Sequence, residues 1–207
     1  MMKRLLSLGL FLVTMLVFAA GAHAYTLTWI PESKDYAVGE TVGGWTVLEY
    51  KDAVAYNANG VWTTSGSPGG DTRPNGATIM WFYYGGNYAE TTLRTKSTAV
   101  AFMVESDSND MYVNFYVDGV CVLANYDMMT LPGQIAYPDW QVGTLVVSGL
   151  DYGAHTIKMQ SVDTNSYRDD FHMYGGAAVA PVPLPAAAWL LGPGLLGILG
   201  IRKKMNK

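Results

Sequence analysis

Three aromatic side chains lie beside segments rich in glycine, proline and polar residues, where a protein surface often receives a ligand. Trp62 precedes the segment 63–76, Trp140 lies within the segment 126–144, and Tyr88 follows a Gly-Gly-Asn turn. Sugars present apolar C–H faces that stack on aromatic rings, while a few polar groups hold the hydroxyls. We therefore predict Trp62, Tyr88 and Trp140 as exposed sugar-stacking residues. The alternative is that these rings fill a core, as aromatic side chains commonly do.

Two acidic clusters offer the oxygen ligands that Ca²⁺ prefers. The first places Glu105, Asp107 and Asp110 within six positions, next to a predicted turn. The second consists of Asp163, Asn165, Asp169 and Asp170. Turn chemistry by itself accounts for all of these residues, and we favour that interpretation. The metal hypothesis assigns a structural Ca²⁺ to Glu105, Asp107 and Asp110.

The residues that could perform catalysis are few. Only His155 and His172 follow residue 24, and each lies in a β-type run, which favours a structural or surface role. Cys121 is the one cysteine, and its strand context predicts a buried, inert thiol. The sequence contains none of the nucleophile, zinc-protease or phosphate-binding motifs. We predict no catalytic residue, and a pair of distant carboxylates is the alternative that would make an enzyme.

An all-β domain at residues 25–178 must position these side chains. Short β-branched and aromatic runs alternate there with Gly, Asn, Asp and Pro, and helical periodicity is hard to find. The predicted strands are Thr26–Ile30, Thr46–Tyr50, Ala77–Tyr84, Ala99–Glu105, Tyr112–Val117, Val120–Asn125, Leu145–Ser148, His155–Ser161 and Asp170–Tyr174. The segments 63–76 and 126–144 are predicted loops. Because neighbours alternate faces in a strand, Trp81 and Phe82 cannot both be core residues.

Two turns carry the most specific local patterns. Asp118-Gly119 separates two apolar β-type runs and predicts a tight hairpin, since both turn positions need a positive φ. Gly149 and Gly153 predict a second turn, after which Ile157 and Met159 should face the core. Together, these Phe-x-Val-Asp-Gly and Gly-Leu-x-x-Gly-x-His-Thr-Ile patterns resemble those of jelly-roll, galactose-binding-like β-sandwiches. The resemblance implies a single antiparallel jelly-roll β-sandwich, a scaffold on which many modules bind carbohydrate.

Residues 1–24 have the three parts of a secretory signal peptide. Two basic residues open the segment, an apolar run at 5–20 follows, and Ala22 and Ala24 supply the small side chains that signal peptidase requires. Cleavage would leave Tyr25 as the new N-terminus. An uncleaved anchor is the alternative, and the shortness of the apolar run argues against it.

Residues 179–207 form a tail of three parts. A proline-rich spacer precedes the apolar segment 186–201, and four basic residues close the chain. Positive residues beyond an apolar segment stay on the cytoplasmic side, so the domain would lie outside. A helix over this segment is about 24 Å long, short of a hydrocarbon core of about 30 Å. We predict a short hydrophobic helix that holds the protein in the membrane transiently.

This tail resembles a PEP-CTERM sorting signal, found on proteins exported by Gram-negative bacteria that make exopolysaccharide. The resemblance rests on Val182-Pro183-Leu184-Pro185 followed by the apolar segment and the basic end. Leu184 stands where that family usually has Glu. The resemblance implies processing by an exosortase-type enzyme, passage through the inner membrane, and a final place at the cell surface or in the extracellular matrix. A permanent anchor is the alternative.

Charge separates the domain from its two ends. The whole chain has a formal charge of -4, but residues 25–178 hold all 17 acidic residues and seven basic ones, for a formal charge of -10. An acidic domain gives no support for nucleic-acid binding and disfavours anionic partners unless a divalent cation bridges them. The sequence thus predicts an exported, non-catalytic protein that binds exopolysaccharide. A purely structural or adhesive matrix protein is the first alternative, and a polysaccharide-cleaving enzyme is the second.

Overall fold

The computed structural model describes residues 24–53, 61–66, 68–72, 76, 78–83, 85–106, 110–133, 141–162 and 170–183. Most of these residues lie in antiparallel strands, and a short 3₁₀ helix occupies Met128–Thr130. Within these ranges no helix is both long enough and apolar enough to cross a bilayer. The predicted signal-peptide residues 1–23 and the apolar segment 186–201 lie outside them.

Eleven strands follow one another along the described chain. Their bounds are β1 Thr26–Ile30, β2 Thr41–Val42, β3 Trp45–Asp52, β4 Thr63–Thr64, β5 Gly69–Thr72, β6 Thr78–Tyr83, β7 Tyr88–Ser106, β8 Tyr112–Val117, β9 Val120–Asp127, β10 Gln141–Val162 and β11 Asp170–Pro181. The predicted all-β class is confirmed. The last strand continues three residues beyond the predicted domain end at residue 178.

The strands form one curled antiparallel sheet, an arrangement consistent with a β-sandwich. Its main order is β2-β3-β11-β7-β10-β8-β9, with β1 added to β10, β4 to β7, and the β5–β6 pair to β11. The three long strands β7, β10 and β11 lie at the centre of this order. These three strands therefore hold the shorter strands together in one sheet.

Alternating residues of β7 pack against two different cores. Phe102 and Val104 belong to the main core, together with aromatic residues from β6, β8 and β11. Ala101 and Met103 belong to the second core, on the opposite face of the same strand. Both sets are almost fully buried. Burial of a Phe or Leu side chain contributes about 1.5–3 kcal/mol, so the register of β7 is strongly specified.

The turn predicted at Gly149–Gly153 is wrong: this segment is an irregularity inside the continuous strand β10. Ser148 pairs with Ala99 and Gly153 pairs with Ser97, so the residues of β10 between them form a bulge, in which Leu150 stays buried. Gly149 has a φ of 84°, a left-handed conformation that glycine adopts without strain. The strand continues because β7 offers a pairing edge on both sides of the bulge.

Several other local predictions can be compared with the strands. Ile157 and Met159 are buried in the main core, as predicted. Phe82 is buried while Trp81 is only partly so, which confirms their opposite faces. Parts of the two predicted loops are instead strands: β4 and β5 lie within 63–76, and β10 begins inside 126–144.

The predicted hairpin at Asp118-Gly119 is confirmed, with φ values of 51° and 79°. The Asp118 carboxylate lies 2.7 Å from His155 Nδ1 and accepts a hydrogen bond from the Thr156 N–H at 2.8 Å. His155 Nε2 lies 3.1 Å from the Ser97 carbonyl oxygen. His155 is thus the satisfied structural histidine that was predicted.

The prediction of a buried Cys121 is wrong, because its side chain is exposed. Cys121 lies in β9, directly opposite Tyr116 of β8. Opposed residues of an antiparallel pair share a face, and Tyr116 is on the outward face of the hairpin. The strand assignment was right, but strand context alone does not say which face the thiol occupies.

Gly175 provides a test of the packing between β3 and β11. A Cβ atom there would overlap the Lys51 carbonyl oxygen and lie 2.9 Å from the Tyr50 ring. We expect Gly175→Ala to lower the free energy of unfolding by about 1–3 kcal/mol, because overpacking against backbone cannot relax easily. Gly153→Ala is the matched control, since its nearest neighbour would be 4.0 Å away. Urea unfolding of both variants measures the difference, and equal stabilities would contradict the packing at Gly175.

Candidate functional site

A polar groove of about 410 Å³ lies along the outward face of β7, where β4 pairs with it. Its lining residues are Lys51, Val61, Thr63, Glu90, Thr91, Thr92 and Arg94. The alternation of β7 explains why Glu90, Thr92 and Arg94 point outward, and the buried Thr91 between them also lines the groove. The volume falls within the range of small-ligand sites.

Charged groups of both signs border this groove. Lys51 Nζ lies 2.8 Å from Glu49 Oε1, and the Thr95 N–H donates to Glu49 Oε2 at 2.6 Å. Burial alone would raise the pKa of Glu49, but the hydrogen bonds and the positive charge of Lys51 lower it below its usual value. Glu49 therefore remains ionised and holds Lys51 in place at the groove.

Next to the groove, one lysine lies over two tyrosine rings. Lys158 of β10 is opposite Glu90 of β7 on one side and opposite Tyr116 of β8 on the other. Its Nζ is 4.6 Å from the centre of the Tyr88 ring and 5.1 Å from that of Tyr116. Such cation–π contacts orient the rings and keep the ammonium group on the surface. Asn114 Nδ2 donates to the Tyr116 hydroxyl at 3.3 Å.

The three predicted stacking residues have different outcomes in the structure. Tyr88 is half-buried and lies on the same outward face of β7 as Glu90, so it borders the groove. Trp62 is a correction: it is 5% exposed, belongs to the main core, and its Nε1–H donates to the Asp52 carbonyl oxygen at 3.0 Å. The indole packs close to Gly176, where a Cβ atom would lie 3.4 Å from it. Trp140 lies outside the described residues.

Sequence reasoning did not identify Glu90, Arg94 and Lys158 as neighbours of Tyr88. The alternation of β8 already placed Asn114 and Tyr116 on one face, but which strands flank that face was not visible. The long pairing of β7 with β10 brings these groups together. Polar or charged residues at every second position after Tyr88 (Glu90, Thr92, Arg94 and Lys96) were the pattern that could have indicated an outward face.

Members of the two predicted acidic clusters meet in one buried place. Asp110 forms a parallel bridge with Asp170, and His172 is opposite Glu105 in the sheet. We call Glu105, Asp110, Asp170, His172 and Tyr174 the acidic cluster; all five are less than 9% exposed. The other predicted ligands, Asp107, Asp163, Asn165 and Asp169, lie outside the described residues.

His172 is the positive partner within the acidic cluster. Its Nδ1 lies 3.2 Å from Asp110 Oδ1, and its Nε2 lies 3.5 Å from Asp170 Oδ2. Burial alone would lower the pKa of His172, but the hydrogen bond and charge of Asp110, with the charges of Asp170 and Glu105, raise it to about 9. The imidazole is therefore protonated at neutral pH, and the Tyr174 hydroxyl donates to Glu105.

The same residues could hold a metal ion. One ligand atom each from Asp110, Asp170 and His172 lie within 4.8 Å of one another. Glu105 is opposite His172, and its carboxylate accepts the Tyr174 hydroxyl. Because Asp107 lies outside the described residues, the predicted set of Glu105, Asp107 and Asp110 stays a prediction. Coordination would require a deprotonated imidazole, so a metal ion and the imidazolium exclude one another.

The partly buried carboxylate of Asp35 is held by structural hydrogen bonds. Asp35 accepts hydrogen bonds from the Thr78 N–H at 2.6 Å and from the Tyr50 hydroxyl at 3.1 Å. Burial raises the pKa of Asp35, and the nearby charge of Asp52 adds to the effect. The Thr78 hydroxyl lies between the two carboxylates, 3.1 Å from Asp35 Oδ2 and 2.9 Å from Asp52 Oδ1. Neither carboxylate is among the residues that line the groove.

Comparison with known proteins gives no family for this chain. No protein-family model matches it, and no curated protein is similar to it. Among solved structures, a two-domain esterase active on acetylated mannans, co-crystallized with mannopentaose, is 10% identical with a TM-score of 0.45. That similarity covers 67% of this chain and 38% of the esterase, so the chain spans well under half of that protein.

Two other similar structures are carbohydrate-binding modules. A β-1,3-glucan binding CBM6 from Bacillus halodurans is 15% identical with a TM-score of 0.35, covering 62% of this chain and 93% of the module. A CBM35 from Paenibacillus barcinonensis is 14% identical with a TM-score of 0.35, covering 75% of this chain and 98% of the module. Because these TM-scores are below 0.5, the likenesses carry no argument about the function of this chain.

Proposed function

We propose that this protein is a non-catalytic carbohydrate-binding protein and that the groove along β7 is its binding site. One observation carries the proposal. The groove contains a carboxylate, a guanidinium and hydroxyls, and its Glu90 lies opposite Lys158, whose ammonium group lies over the rings of Tyr88 and Tyr116. A few convergent polar groups beside aromatic rings are what sugar recognition requires.

The groups in the groove have complementary roles toward a sugar. The Glu90 carboxylate accepts hydrogen bonds from hydroxyl groups, and the Arg94 guanidinium donates to hydroxyl or ring oxygens. Thr63 and Thr92 can do both. Tyr88 offers the edge of a ring at the side of the groove, where it can contact the apolar face of a sugar.

The number of carboxylates in the groove bears on the alternative activities. Glu90 is the one carboxylate among its described lining residues, whereas hydrolysis of a glycosidic bond uses two carboxylates on opposite sides of the bond. A structural or adhesive protein without sugar binding is the stronger alternative. Concentration-dependent assembly that sugars do not change would favour it over the binding role.

We further propose that the protein is exported and processed at both ends. Two placements support this. Strand β1 begins at Thr26, just after the predicted cleavage site at Ala24, and β11 ends at Pro181, just before the Val182-Pro183 motif. Signal peptidase would thus remove residues that precede the sheet, and an exosortase-type enzyme would act after its last strand. The processed protein would reach the cell surface or the extracellular matrix of a Gram-negative bacterium.

The acidic cluster has a structural role in this proposal. It joins Asp110, which precedes β8, to the beginning of β11 through the paired charges of His172, Asp110 and Asp170. A cation at the cluster, whether an imidazolium or a metal ion, would hold the carboxylates together.

The groove predicts which substitutions impair binding. In native gels containing mannan, β-1,3-glucan or polygalacturonate, we expect the full chain to be retarded by at least one polysaccharide. Tyr88→Ala and Glu90→Gln should each weaken that retardation about tenfold or more, because a few aromatic and charged contacts carry most binding energy. Tyr152→Ala is the control, since Tyr152 is 72% exposed on the β10 bulge, outside the groove lining. Unchanged retardation of both groove variants would overturn the assignment of this site.

Processing predicts a defined mature protein. Mass spectrometry of the exported form should find an N-terminus at Tyr25, because Ala22 and Ala24 satisfy signal peptidase. It should also find that Arg202–Lys207 are missing, because cleavage near Pro183 removes the tail. An intact C-terminus recovered from the membrane fraction would contradict processing and support a permanent anchor.

His172 predicts a pH dependence of stability. Its folded pKa of about 9 exceeds the unfolded value of 6.5, so its contribution is fully present below pH 6.5 and is lost as the pH rises through 9. We expect the stability difference between the wild type and His172→Gln to shrink between pH 6 and pH 10, by on the order of 1–3 kcal/mol. Urea unfolding measures it, and the NMR titration of the wild-type imidazole reports the protonation directly. An imidazole that titrates near pH 6.5 would contradict the prediction.

A further inference from the structure

Basic side chains are unevenly distributed on this acidic domain. The described residues of the domain include five lysines or arginines: Lys34, Lys51, Arg94, Lys96 and Lys158. Four of them lie along or beside the groove, and only Lys34 lies elsewhere. We call Lys51, Arg94, Lys96 and Lys158 the basic strip.

Register and alternation place the members of the basic strip together. Lys51 and Arg94 line the same groove. Lys96 follows Arg94 by two positions in an exposed stretch of β7, where the pairing with β10 is irregular between Leu93 and Ser97. Lys158 is opposite Glu90, which also lines the groove. The basic strip thus runs along β7, from the side of Tyr88 and Tyr116 toward the exposed middle of that strand.

Much of this positive charge is not neutralised by neighbours. Lys51 is paired with Glu49, and Lys158 lies over two neutral rings. Within the described part of the chain, neither Arg94 nor Lys96 forms an ion pair, and both are exposed. Two cationic groups therefore remain available at the groove for an anionic group of a ligand.

We infer that the groove binds an acidic polysaccharide, one whose sugar rings carry carboxylate groups. This inference rests on the proposed function and names its ligand class. The planar guanidinium of Arg94 matches a carboxylate in a two-point contact, and the exposed Lys96 adds a second positive charge two residues along the strand. Tyr88 and the groove hydroxyls contact the sugar ring that carries the charge.

The negative charge of the rest of the domain increases the selectivity of the groove as the binding place for a polyanion. A formal charge of -10 over residues 25–178 repels polyanions from most of the surface. The basic strip is then the place where an anionic chain approaches with favourable electrostatics, and binding is confined to one orientation. The overall acidity predicted that anionic partners would need a bridging cation, whereas the clustering of cations at the groove removes that need.

Polygalacturonate and its fully methyl-esterified form provide a matched pair of ligands, since they share a backbone and differ in charge. We expect the full chain to bind polygalacturonate at least tenfold more tightly than the ester, with an affinity that falls as salt rises from 50 to 300 mM. Lys96→Gln should weaken polygalacturonate binding several-fold and leave ester binding unchanged, whereas Arg94→Gln should weaken polygalacturonate binding more than ester binding. Lys34→Gln is the matched control, since Lys34 pairs with Glu40 away from the groove.

The outcomes separate this inference from the proposed function. Equal affinity for both forms, or tight binding of neutral mannan or β-1,3-glucan alone, would overturn the acidic ligand while leaving carbohydrate binding in place. Binding of dextran sulfate as tight as that of polygalacturonate would overturn the preference for carboxylates. No binding to any of these polysaccharides would overturn the proposed function and the inference together. Preferential polygalacturonate binding that Arg94→Gln abolishes would support both.

Discussion

The pairing of β7 with β10 is the constraint on which the rest of the structure depends. Both strands are long, and β7 presents alternate residues to two cores on opposite faces. A slip of one residue would move Phe102 out of the main core and bring the Glu105 carboxylate into it, at a large desolvation cost. The same register places His172 opposite Glu105 and turns Glu90 and Arg94 toward solvent.

Irregularities in strand pairing allow these long strands to contribute to two surfaces. The bulge of β10 after Ser148 takes up extra residues, so that β10 pairs with β7 on both sides of it. A shift between Met173 and Gly175 has a similar effect in β11, where Tyr174 remains buried and reaches Glu105. Glycine is needed at Gly175 because a side chain would meet the backbone of β3. The packing between strands and the positions of the buried polar side chains therefore depend on the same local departures from regular pairing.

Charge is organised in two opposite ways. Inside, three carboxylates surround one imidazole, and their combined field keeps it protonated against the cost of burial. Outside, cations gather beside a groove in a domain that is acidic as a whole. Averages over the chain conceal both arrangements, because net charge contains no information about position. The two acidic clusters predicted separately converge only because Asp110 and Asp170 bridge in the fold.

Local patterns determined much of this protein from sequence alone: the all-β class, the Asp118-Gly119 hairpin, the structural role of His155, and the inward faces of Ile157 and Met159. Turn chemistry and the two-residue period of strands act over a few neighbours, so they can be seen in the sequence. Only tertiary structure decided that Trp62 is core, that Cys121 is exposed, that Gly149 belongs to a bulge, and that Tyr88, Glu90, Arg94 and Lys158 share a surface. These outcomes depend on which distant strand pairs alongside, and strand pairing is set by long-range burial rather than by neighbouring residues.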